Sequence, residues 1–547
     1  MIGAVICELN PLHNGHAYLF RQMHKDGCKV IACMSGHFTQ RGEPAVFDKY
    51  TRTKAALLSG ADLVIELPAT YACAGAERFA FGGVYLLQAL GCVDRLYCGS
   101  ECGDTARLEQ AAQAVADTAV ENILRMPLVL IWFASYKNGE SSYAPLWVKK
   151  DTRRFFRTRD SLNHNTTTLS PFCRETIKAD SRAYCQMLKH LKEQDRNRRV
   201  CMIQVENEMG AFVDVDHCPE ARDAFSGPVP QGLTDYLQKN WKKMEGSLVR
   251  QWKALGSKKK GSWEELFGQG DLTRQFFMAA AFAQFAEEVT RAGKAIYPLP
   301  AYVNCWMADE DAQPGSYPNG GPRPTVLDVY KALAPSVDLL APDIYRPTLY
   351  RIVEAYHRPD NALFIPELKL EAGNAYYTLA EHNAICFSPF GIEDAAKDSI
   401  FCEEYRVLGG LLPLISDYQG TGRMHGFVRQ EGVDGAGDTV RLGFSPYEME
   451  VHYLKDARRA HGMAVKIADD EFIVAGAGCQ VVFHSERQGQ VCKIGWAEEV
   501  EPAENGGWRT LRVLNGDETG HHNWLPLAQG RTVSGIYRIK LYTYPEQ

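Results

Sequence analysis

The first 126 residues alternate short apolar runs with amphipathic stretches. The apolar runs predict four strands, at residues 2–7, 30–34, 63–67 and 96–98. Helices are predicted between them, including one at residues 106–124. Strands that alternate with helices along the chain are typical of a parallel sheet. We therefore predict a doubly wound, Rossmann-like α/β domain over residues 1–126.

The rest of the chain shows two further patterns. Six more apolar runs, interleaved with helical patterns, predict parallel strands at residues 128–135, 200–203, 301–305, 338–341, 362–366 and 384–387. From about residue 426 the segments become short and alternating, for example at residues 471–474 and 535–542, which favours an antiparallel β module. The predicted domains are residues 1–126, 127–425 and 426–547.

Composition narrows the class of protein. The 547 residues carry a net charge of -7, so no basic excess indicates nucleic acid or an anionic membrane as a partner. No interior apolar run is long enough to cross a bilayer, and the N-terminus shows no signal peptide. Several of the 16 cysteines lie inside apolar runs, which is typical of reduced thiols, and none has convincing metal-site spacing. We expect a soluble cytoplasmic protein without a metal.

Two of the predicted strands end in acidic residues. Asn207 and Glu208 follow the run at residues 200–203, and Glu367 follows the run that begins at Leu363. Carboxylates at the carboxyl ends of two parallel strands are where barrel enzymes place their chemistry, and a carboxylate pair favours glycoside hydrolysis. Glu206 lies two residues before Glu208 and can share its face of the strand, so the choice between these two acids stays open here.

Residues 204–210, Gln-Val-Glu-Asn-Glu-Met-Gly, resemble the acid/base motif of glycoside hydrolase family 35, the β-galactosidase family of clan A. Five other segments resemble the bacterial branch of that family, in the same order along the chain: residues 130–139, 169–172, 302–306, 341–345 and 387–393. The resemblance implies a (β/α)8-type barrel that begins at its third strand, so the first two strand–helix units are absent. It also implies a retaining β-galactosidase with Glu208 as acid/base, Glu367 as nucleophile and Asn207 bound to the sugar 2-hydroxyl.

Aromatic and amide side chains near these strand ends are candidate sugar contacts. Trp132 and Tyr136 follow the first of the six strands, and aromatic rings can stack on the C–H faces of sugars. The resembling motifs add Asn304, Trp306 and Tyr345 as substrate-binding candidates. The alternative for each aromatic residue taken alone is ordinary core or surface packing.

A histidine pair follows the first strand of the N-terminal segment. His13 and His16 flank Gly15, which allows close backbone approach, and the helix that follows offers its N-terminal amides to a phosphate. Imidazoles in this position can hold a triphosphate during adenylyl transfer. The alternative is a pair of capping or surface histidines, which is the commoner explanation for so short a motif.

Four neighbouring segments favour the phosphate-binding explanation of the histidine pair: residues 34–45, 49–54, 60–68 and 99–101. They resemble the tRNA(Met) cytidine acetate ligase family, which adenylates acetate with ATP and acetylates a tRNA cytidine. The resemblance ends near residue 125 and implies ATP contacts at these positions: Glu8, Asn10, His13, Gly15, His16 and Gly99. Nearby cations are either phosphate contacts or solvated surface charges: Arg41, Lys49, Arg52 and Lys54.

Three hypotheses follow from these patterns. The first is a glycoside hydrolase that needs no cofactor and acts on β-galactosides or related β-glycosides. The second is an ATP-dependent, RNA-modifying ligase with tRNA as partner. The third is a catalytically silent fusion of two incomplete modules.

Overall fold

A computed structural model of the protein describes residues 1–74, 76–98, 129–137, 139–195, 198–309, 311–346, 349–396, 399–429, 438–455, 457, 459–503, 507–528, 531 and 533–546. The chain divides into two compact units, Met1–Met126 and Pro127–Gln547. The predicted helix at residues 106–124 and the candidate ATP contact Gly99 lie outside the described residues.

The N-terminal unit contains a four-stranded sheet. Its strands are β1 (Ile2–Cys7), β2 (Lys29–Ser35), β3 (Leu63–Leu67) and β4 (Arg95–Tyr97). Its helices are α1 (Asn14–Lys25), α2 (Lys49–Leu58), α3 (Ala69–Ala72) and α4 (Ala76–Ala89), with a 3-10 turn at Gln40–Gly42. All pairs are parallel, in the order β3-β2-β1-β4. The predicted parallel sheet is confirmed.

Helices cover both faces of this sheet. Val30 and Ala32 pack with Phe20 and Met23 of α1, whereas Ile31 and its neighbours on the other face pack with side chains of α3 and α4. β1 lies in the interior of the sheet, with β2, the next strand along the chain, on one side and β4 on the other. In open α/β sheets ligands bind where strand order reverses in this way, at the carboxyl ends of the strands.

The larger unit begins with a second parallel sheet. The first strands of the unit are β5 (Val129–Phe133), β6 (Arg157–Arg159), β7 (Asn165–Leu169), β8 (Val200–Val205), β9 (Ala301–Trp306), β10 (Leu339–Ile344), β11 (Phe364–Leu368) and β12 (Cys386–Pro389). Six of them form one curled sheet in the order β12-β11-β10-β9-β8-β5, with every pair parallel, while β6 and β7 form a separate hairpin. The six predicted strands are confirmed. Among the described residues β5 pairs only with β8, and β12 only with β11, and the assignment of this curled sheet to a (β/α)8-type barrel without its first two strand–helix units stays a prediction.

Helices connect these strands. They are α5 (Leu146–Lys150), α6 (Arg174–Gln194), α7 (Pro219–Ser226), α8 (Gln231–Asn240), α9 (Ser247–Ala254), α10 (Trp263–Phe267), α11 (Asp271–Lys294), α12 (Leu327–Leu333), α13 (Leu349–Tyr356), α14 (Gly373–Glu381) and α15 (Ile400–Tyr418). Short 3-10 turns lie at Pro324–Val326 and Ile392–Asp394. The basic residues 258–260 are exposed, as expected for a solvated loop. No helix in the described part of the chain is long and apolar enough to span a membrane.

The C-terminal strands form two antiparallel sheets. They are β13 (Met424–Val428), β14 (Thr439–Phe444), β15 (Tyr447–Tyr453), β16 (His461–Ala468), β17 (Glu471–Ala477), β18 (Cys479–Ser485), β19 (Gln490–Pro502), β20 (Trp508–Val513), β21 (Trp524–Leu527) and β22 (Gly535–Pro545). The sheet orders are β13-β16-β17-β22-β19-β20 and β14-β15-β18-β21. One core contains buried side chains of both sheets, such as Val481 and Phe472, so the predicted antiparallel module is confirmed.

A buried polar cluster joins this module to the helices of the parallel sheet. Glu404 of α15 accepts hydrogen bonds from Tyr376 Oη of α14 (2.8 Å) and from the Ser534 amide (2.8 Å), and it lies 3.6 Å from His461 Nε2 of β16. These partners hold the pKa of Glu404 below its ordinary value although burial opposes them. Within the larger unit, the cluster and the apolar side chains around it link α14 and α15 to the antiparallel module.

Candidate active site

Polar side chains meet at the carboxyl ends of four adjacent strands in the larger unit. The parallel register places Trp306 of β9 beside Asp343 of β10, and Asp343 beside Glu367 of β11. Glu208 follows β8, the next strand of the sheet. Since side chains of paired parallel residues project to the same face, the sheet gathers three carboxyl groups at one edge.

The backbone around Glu208 adopts an unusual conformation. Both Glu206 (φ +64°) and Glu208 (φ +47°) lie in the left-handed region, which costs about 1–3 kcal/mol for a residue other than glycine. Gly210 has φ +147°, and a Cβ there would lie 2.5 Å from the Pro318 carbonyl carbon. This turn changes the direction of the backbone at the end of β8, so the side chains of Glu206 and Glu208 lie in different surroundings.

Hydrogen bonds fix that turn. The Glu208 amide donates to Asn304 Oδ1 (2.8 Å), and the Gly139 amide donates to the Glu208 carbonyl (3.0 Å). Glu208 is only 6% exposed. Its backbone is therefore held by β9 on one side and by the loop after β5 on the other.

Amide side chains form a chain of hydrogen bonds beneath the acids. Asn304 Nδ2 donates to Asp343 Oδ2 (2.7 Å) and to Asn207 Oδ1 (3.1 Å). Gln204 Nε2 also donates to Asn207 Oδ1 (3.0 Å), and Gln204 Oε1 accepts from Tyr302 Oη (2.8 Å). Because Asn207 Oδ1 has two donors, the orientation of this amide is defined, and its Nδ2 group is left to donate to another acceptor.

Burial and neighbouring charge make Glu208 a weak acid. Loss of solvation raises its pKa to about 7 and the charge of Glu367 adds to the rise, while a hydrogen bond with the Asp343 side chain and then the charge of Lys137 oppose it. Asp343 is 1% exposed, and burial followed by the charges of Glu367 and Glu208 raises its pKa well above the ordinary value. An acid with a pKa near neutrality can both give and take a proton at physiological pH.

Glu367 has a different environment. Tyr345 Oη donates a 2.5 Å hydrogen bond to Glu367 Oε1, and the Glu367 side chain is only partly buried. Burial and this carboxylate raise the pKa of Tyr345, which keeps the hydroxyl protonated as a donor. This hydrogen bond fixes the position of the Glu367 carboxyl group.

Glu206 belongs to another cluster. It is fully buried and accepts hydrogen bonds from the Ser135 amide (2.7 Å), Ser135 Oγ (3.1 Å) and the Tyr136 amide (2.9 Å). Burial raises its pKa, while the Asp180 side chain of α6 and the amides at residues 135 and 136 lower it. Glu208, and not Glu206, thus lies with Glu367 and Asp343, and its role as the acid/base stays a prediction.

The aromatic candidates separate into two groups. Trp132 is 50% exposed and packs edge-on against Tyr143 with 5.3 Å between ring centroids, and Trp306 packs edge-on against Phe212 at 5.7 Å. Tyr136 is fully buried, and its hydroxyl donates to the Leu169 carbonyl (3.0 Å). Its ring packs against phenylalanines of α11. The structure therefore places Tyr136 in the core, away from the other sugar-binding candidates.

The sequence motifs contained three contributors that were not identified as site residues. Gln204 and Tyr302 orient Asn207, and Asp343 lies beside both candidate catalytic acids. The available signal was a polar residue inside an otherwise apolar strand, as in β10 (Leu-Leu-Ala-Pro-Asp-Ile). An internal carboxyl in a buried parallel strand indicates a partner on a neighbouring strand.

The histidine pair of the N-terminal unit caps α1. His13 Nδ1 accepts from the Gly15 amide (3.1 Å), the His13 amide donates to His16 Nδ1 (3.2 Å), and the two ring centroids are 3.8 Å apart. His13 is exposed and His16 is half-buried. Burial and then His13 lower the pKa of His16, which favours a neutral ring. The capping alternative is thus observed, and both imidazoles lie at the start of α1, in the segment that follows β1.

Other N-terminal candidates bond to nearby backbone. Glu8 Oε1 accepts from the Gln40 amide (2.5 Å), and Asn10 Oδ1 accepts from the Val46 amide (2.7 Å). Arg52 is 2% exposed and donates to the carbonyls of Glu8 (2.5 Å), Gly36 and Phe47 (3.0 Å), so it braces the loops and is not a free phosphate contact. Lys49 pairs with Glu66 at 2.7 Å.

Two family models match parts of the chain. The model described as HIGH Nucleotidyl Transferase matches residues 1–128, and a domain of unknown function, DUF5597, matches residues 401–526. The resemblance of the first 125 residues to a nucleotidyltransferase-type domain is confirmed by the first match. Residues 401–526 include α15 except its first residue, together with most of the antiparallel module.

About a fifth of the chain is similar to tRNA(Met) cytidine acetate ligases. The tRNA(Met) cytidine acetate ligase of Caldicellulosiruptor bescii is 45% identical over 117 residues, 21% of this chain and 29% of the relative. Thermotoga maritima TmcAL bound with alpha-thio ATP is 42% identical over 21% of this chain and 29% of that chain, with a TM-score of 0.21. The chain spans less than half the length of the curated relatives it matches.

A β-galactosidase from the psychrophilic Marinomonas ef1 is 10% identical over 68% of this chain and 48% of that chain, with a TM-score of 0.27. A TM-score this low does not establish a shared fold. The family 35 assignment therefore stays a prediction that depends on the residues at the strand ends.

Proposed function

We propose that the larger unit is a retaining glycoside hydrolase that acts on β-galactosides or related β-glycosides. The observation that carries this proposal is the pairing of Glu208, with its pKa near 7, and Glu367, which accepts a hydrogen bond from Tyr345, at the carboxyl ends of β8 and β11. Two carboxyl groups whose environments differ in this way are suited to separate acid and nucleophile roles.

The roles follow from the two environments. Glu367 is the nucleophile, because an ionised carboxylate is needed to attack the anomeric carbon and form a glycosyl ester. Glu208 protonates the leaving oxygen and afterwards takes a proton from water, which is the exchange that a pKa near 7 allows. The Nδ2 group of Asn207, whose Oδ1 already has two donors, donates to the sugar 2-hydroxyl.

The remaining candidates bind the substrate. Trp132 and Trp306 offer exposed or half-exposed rings to the apolar faces of the sugar. Asn304 acts on Glu208 and Asn207 through hydrogen bonds and so positions them. Tyr345 holds Glu367, and Tyr136 is left out of the proposed site because it is fully buried.

Hydrolysis of an aryl β-galactoside by the purified full-length protein tests the proposal. Proton NMR of the first product should show the β anomer, as retention requires. Glu367→Ala should abolish turnover, and azide should then give the α-galactosyl azide. Glu208→Ala should lose roughly 10²- to 10⁴-fold on poor leaving groups and much less on activated ones. Wild-type rates in both variants would refute the assignment.

We further propose that the N-terminal unit binds ATP weakly at its histidine pair. The match of residues 1–128 to the HIGH Nucleotidyl Transferase model and the position of both imidazoles after β1 support this proposal. Calorimetry with ATP and Mg²⁺ should give weak binding without acetate-dependent pyrophosphate release. Robust release, or acetylation of tRNA, would favour the ligase hypothesis. Absence of both this binding and glycoside hydrolysis would favour a silent fusion.

A further inference from the structure

Asp343 is a buried carboxyl group without a counter-ion. It lies between Trp306 and Glu367 in the sheet, and its Oδ2 accepts a hydrogen bond from Asn304 Nδ2 (2.7 Å). The other oxygen, Oδ1, is buried and has no hydrogen-bond partner among the described residues within ordinary geometric limits, while the neighbouring Glu208 carboxyl group is close enough to share a hydrogen bond with the Asp343 side chain. In the described ranges no lysine, arginine or histidine forms an ion pair with it. Burying an unpaired carboxylate is so unfavourable that such a group takes up a proton instead.

The groups that face Asp343 reinforce this conclusion. Glu208 at the end of β8 and Glu367 on β11 contribute negative charge, while Tyr302, Cys305, Tyr345 and Tyr356 are neutral groups whose pKa values burial raises. Two cations act on neighbours of Asp343: Lys137 lowers the pKa of Glu208, and Arg323 lowers the pKa values of Cys305 and Tyr356 against the effect of burial. The largest charges that act on Asp343 itself are therefore those of two carboxyl groups, Glu367 and Glu208.

We propose that Asp343 is a third functional carboxyl group of this site, a neutral acid whose O–H group donates to the Glu208 carboxylate and positions it. This inference rests on the proposed function and adds a residue to it. Neutral carboxylic acids in apolar sites serve as hydrogen-bond donors in other enzymes. Here the donor is useful after Glu208 has protonated the leaving oxygen, when Glu208 carries the negative charge that Glu367 has lost on forming the ester.

Asp343 keeps its proton through the reaction because the total charge of its two carboxyl neighbours does not change. Before glycosylation Glu367 is charged and Glu208 is neutral, whereas in the glycosyl-enzyme Glu367 is an uncharged ester and Glu208 is charged. Asp343 thus has one negative neighbour in both states. Its proton is not consumed, so it is a positioning residue and does not exchange protons with substrate.

Two substitutions separate a neutral acid from a carboxylate. Asp343→Asn keeps a neutral donor, since the amide can accept from Asn304 and donate to Glu208. We expect kcat to fall by about tenfold, because an amide is a weaker donor, with the basic limb of the pH profile moved by less than about half a unit. Asp343→Leu removes the donor, so kcat should fall by about a hundredfold and the basic limb should move upward.

If Asp343 were ionised in the wild-type protein, the basic limb of the pH profile should shift in the opposite direction. Both substitutions would then remove a negative charge beside Glu208 and move the basic limb downward by more than about one unit. That result would overturn the inference. Asp180→Asn is the matched control, because Asp180 is a buried acid beside Glu206 and outside the catalytic cluster. This substitution should leave the basic limb of the pH profile where it is in the wild type.

An infrared measurement tests the inference without any activity. In protein labelled with ¹³C-aspartate, the difference between wild type and Asp343→Asn at about pH 8 should contain the carbonyl band of a protonated carboxylic acid. Absence of that band overturns the inference, even if Asp343→Leu fails to fold. If wild type shows the band but hydrolyses no glycoside, the proposed function fails while the neutral Asp343 stands.

Discussion

The two candidate sites are built in different ways. At the ends of β8 to β11, polar side chains bond to one another across strands, and Glu208 is 6% exposed. At the end of β1, His13 is exposed and the polar groups mostly bond to nearby backbone. The first arrangement fixes side chains before a ligand arrives, and the second stabilises a helix start and loops. The two sites therefore differ less in how many polar residues they contain than in how far their side chains are held in place before a ligand binds.

The largest expected effect tests whether the carboxyl cluster is desolvated. Folding raises the pKa of Glu208 from 4.5 to about 7, so the folded state holds this proton more tightly than the unfolded state. The resulting stability is present below about pH 4.5 and is lost as pH rises through about 7, a change of about 3 kcal/mol. Urea unfolding at a series of pH values should show this fall in wild type and a smaller one in Glu208→Gln.

Glu264→Gln is the control, because Glu264 is exposed on α10 and its loss should leave the pH dependence unchanged. Equal slopes in wild type and Glu208→Gln would mean that Glu208 is solvated. The contrast with the N-terminal loop would then disappear.

The second effect tests the bonds between strands. Asn304 holds the Glu208 amide, Asn207 and Asp343, so Asn304→Ala should let the acids shift. A displacement of about 1 Å can cost about a hundredfold, and we expect that loss in kcat with the aryl galactoside.

Asn361 is the matched control for Asn304. It is equally buried, at 2% exposure, but its side chain bonds the backbone of Leu340 and Tyr356. Asn361→Ala should lower the free energy of unfolding by about 1–3 kcal/mol and spare the chemistry of the folded fraction. If Asn361→Ala and Asn304→Ala reduce kcat equally, the network has no special role in positioning.

The sequence was sufficient for the strands of both parallel sheets because buried strands are short apolar runs with clear ends. It was insufficient for α7 to α10, since the connection after β8 is polar and its helices bury only narrow faces, such as Leu233 and Leu237 of α8. Glu208 and Glu367 were identified from strand ends and a resemblance. Asp343 was not among the candidates because its partners lie on other strands, and aromatic residue type alone did not reveal that Tyr136 is fully buried.

The third effect examines the N-terminal site directly. His16→Ala should weaken ATP binding by about tenfold, since one hydrogen bond to a phosphate is worth about 1–1.5 kcal/mol. Calorimetry measures this change. His24→Ala is the control on the same helix, because the His24 ring bonds the Cys28 and Gly60 carbonyls near the last turn of α1. Equal effects of both substitutions would indicate that helix stability, and not a phosphate contact, controls binding.

The smallest effect separates the aromatic residue that faces solvent from the one in the core. Trp132 is 50% exposed, so Trp132→Ala should raise KM for the aryl galactoside by roughly three- to tenfold through loss of ring stacking, with little change in kcat. Tyr136→Phe removes only the bond to the Leu169 carbonyl, so it should cost about 1 kcal/mol of stability and leave KM unchanged. Steady-state kinetics and urea unfolding measure the two quantities. A rise in KM for Tyr136→Phe with no loss of stability would mean that Tyr136 reaches the sugar after all, and that the loop after β5 rearranges when substrate binds.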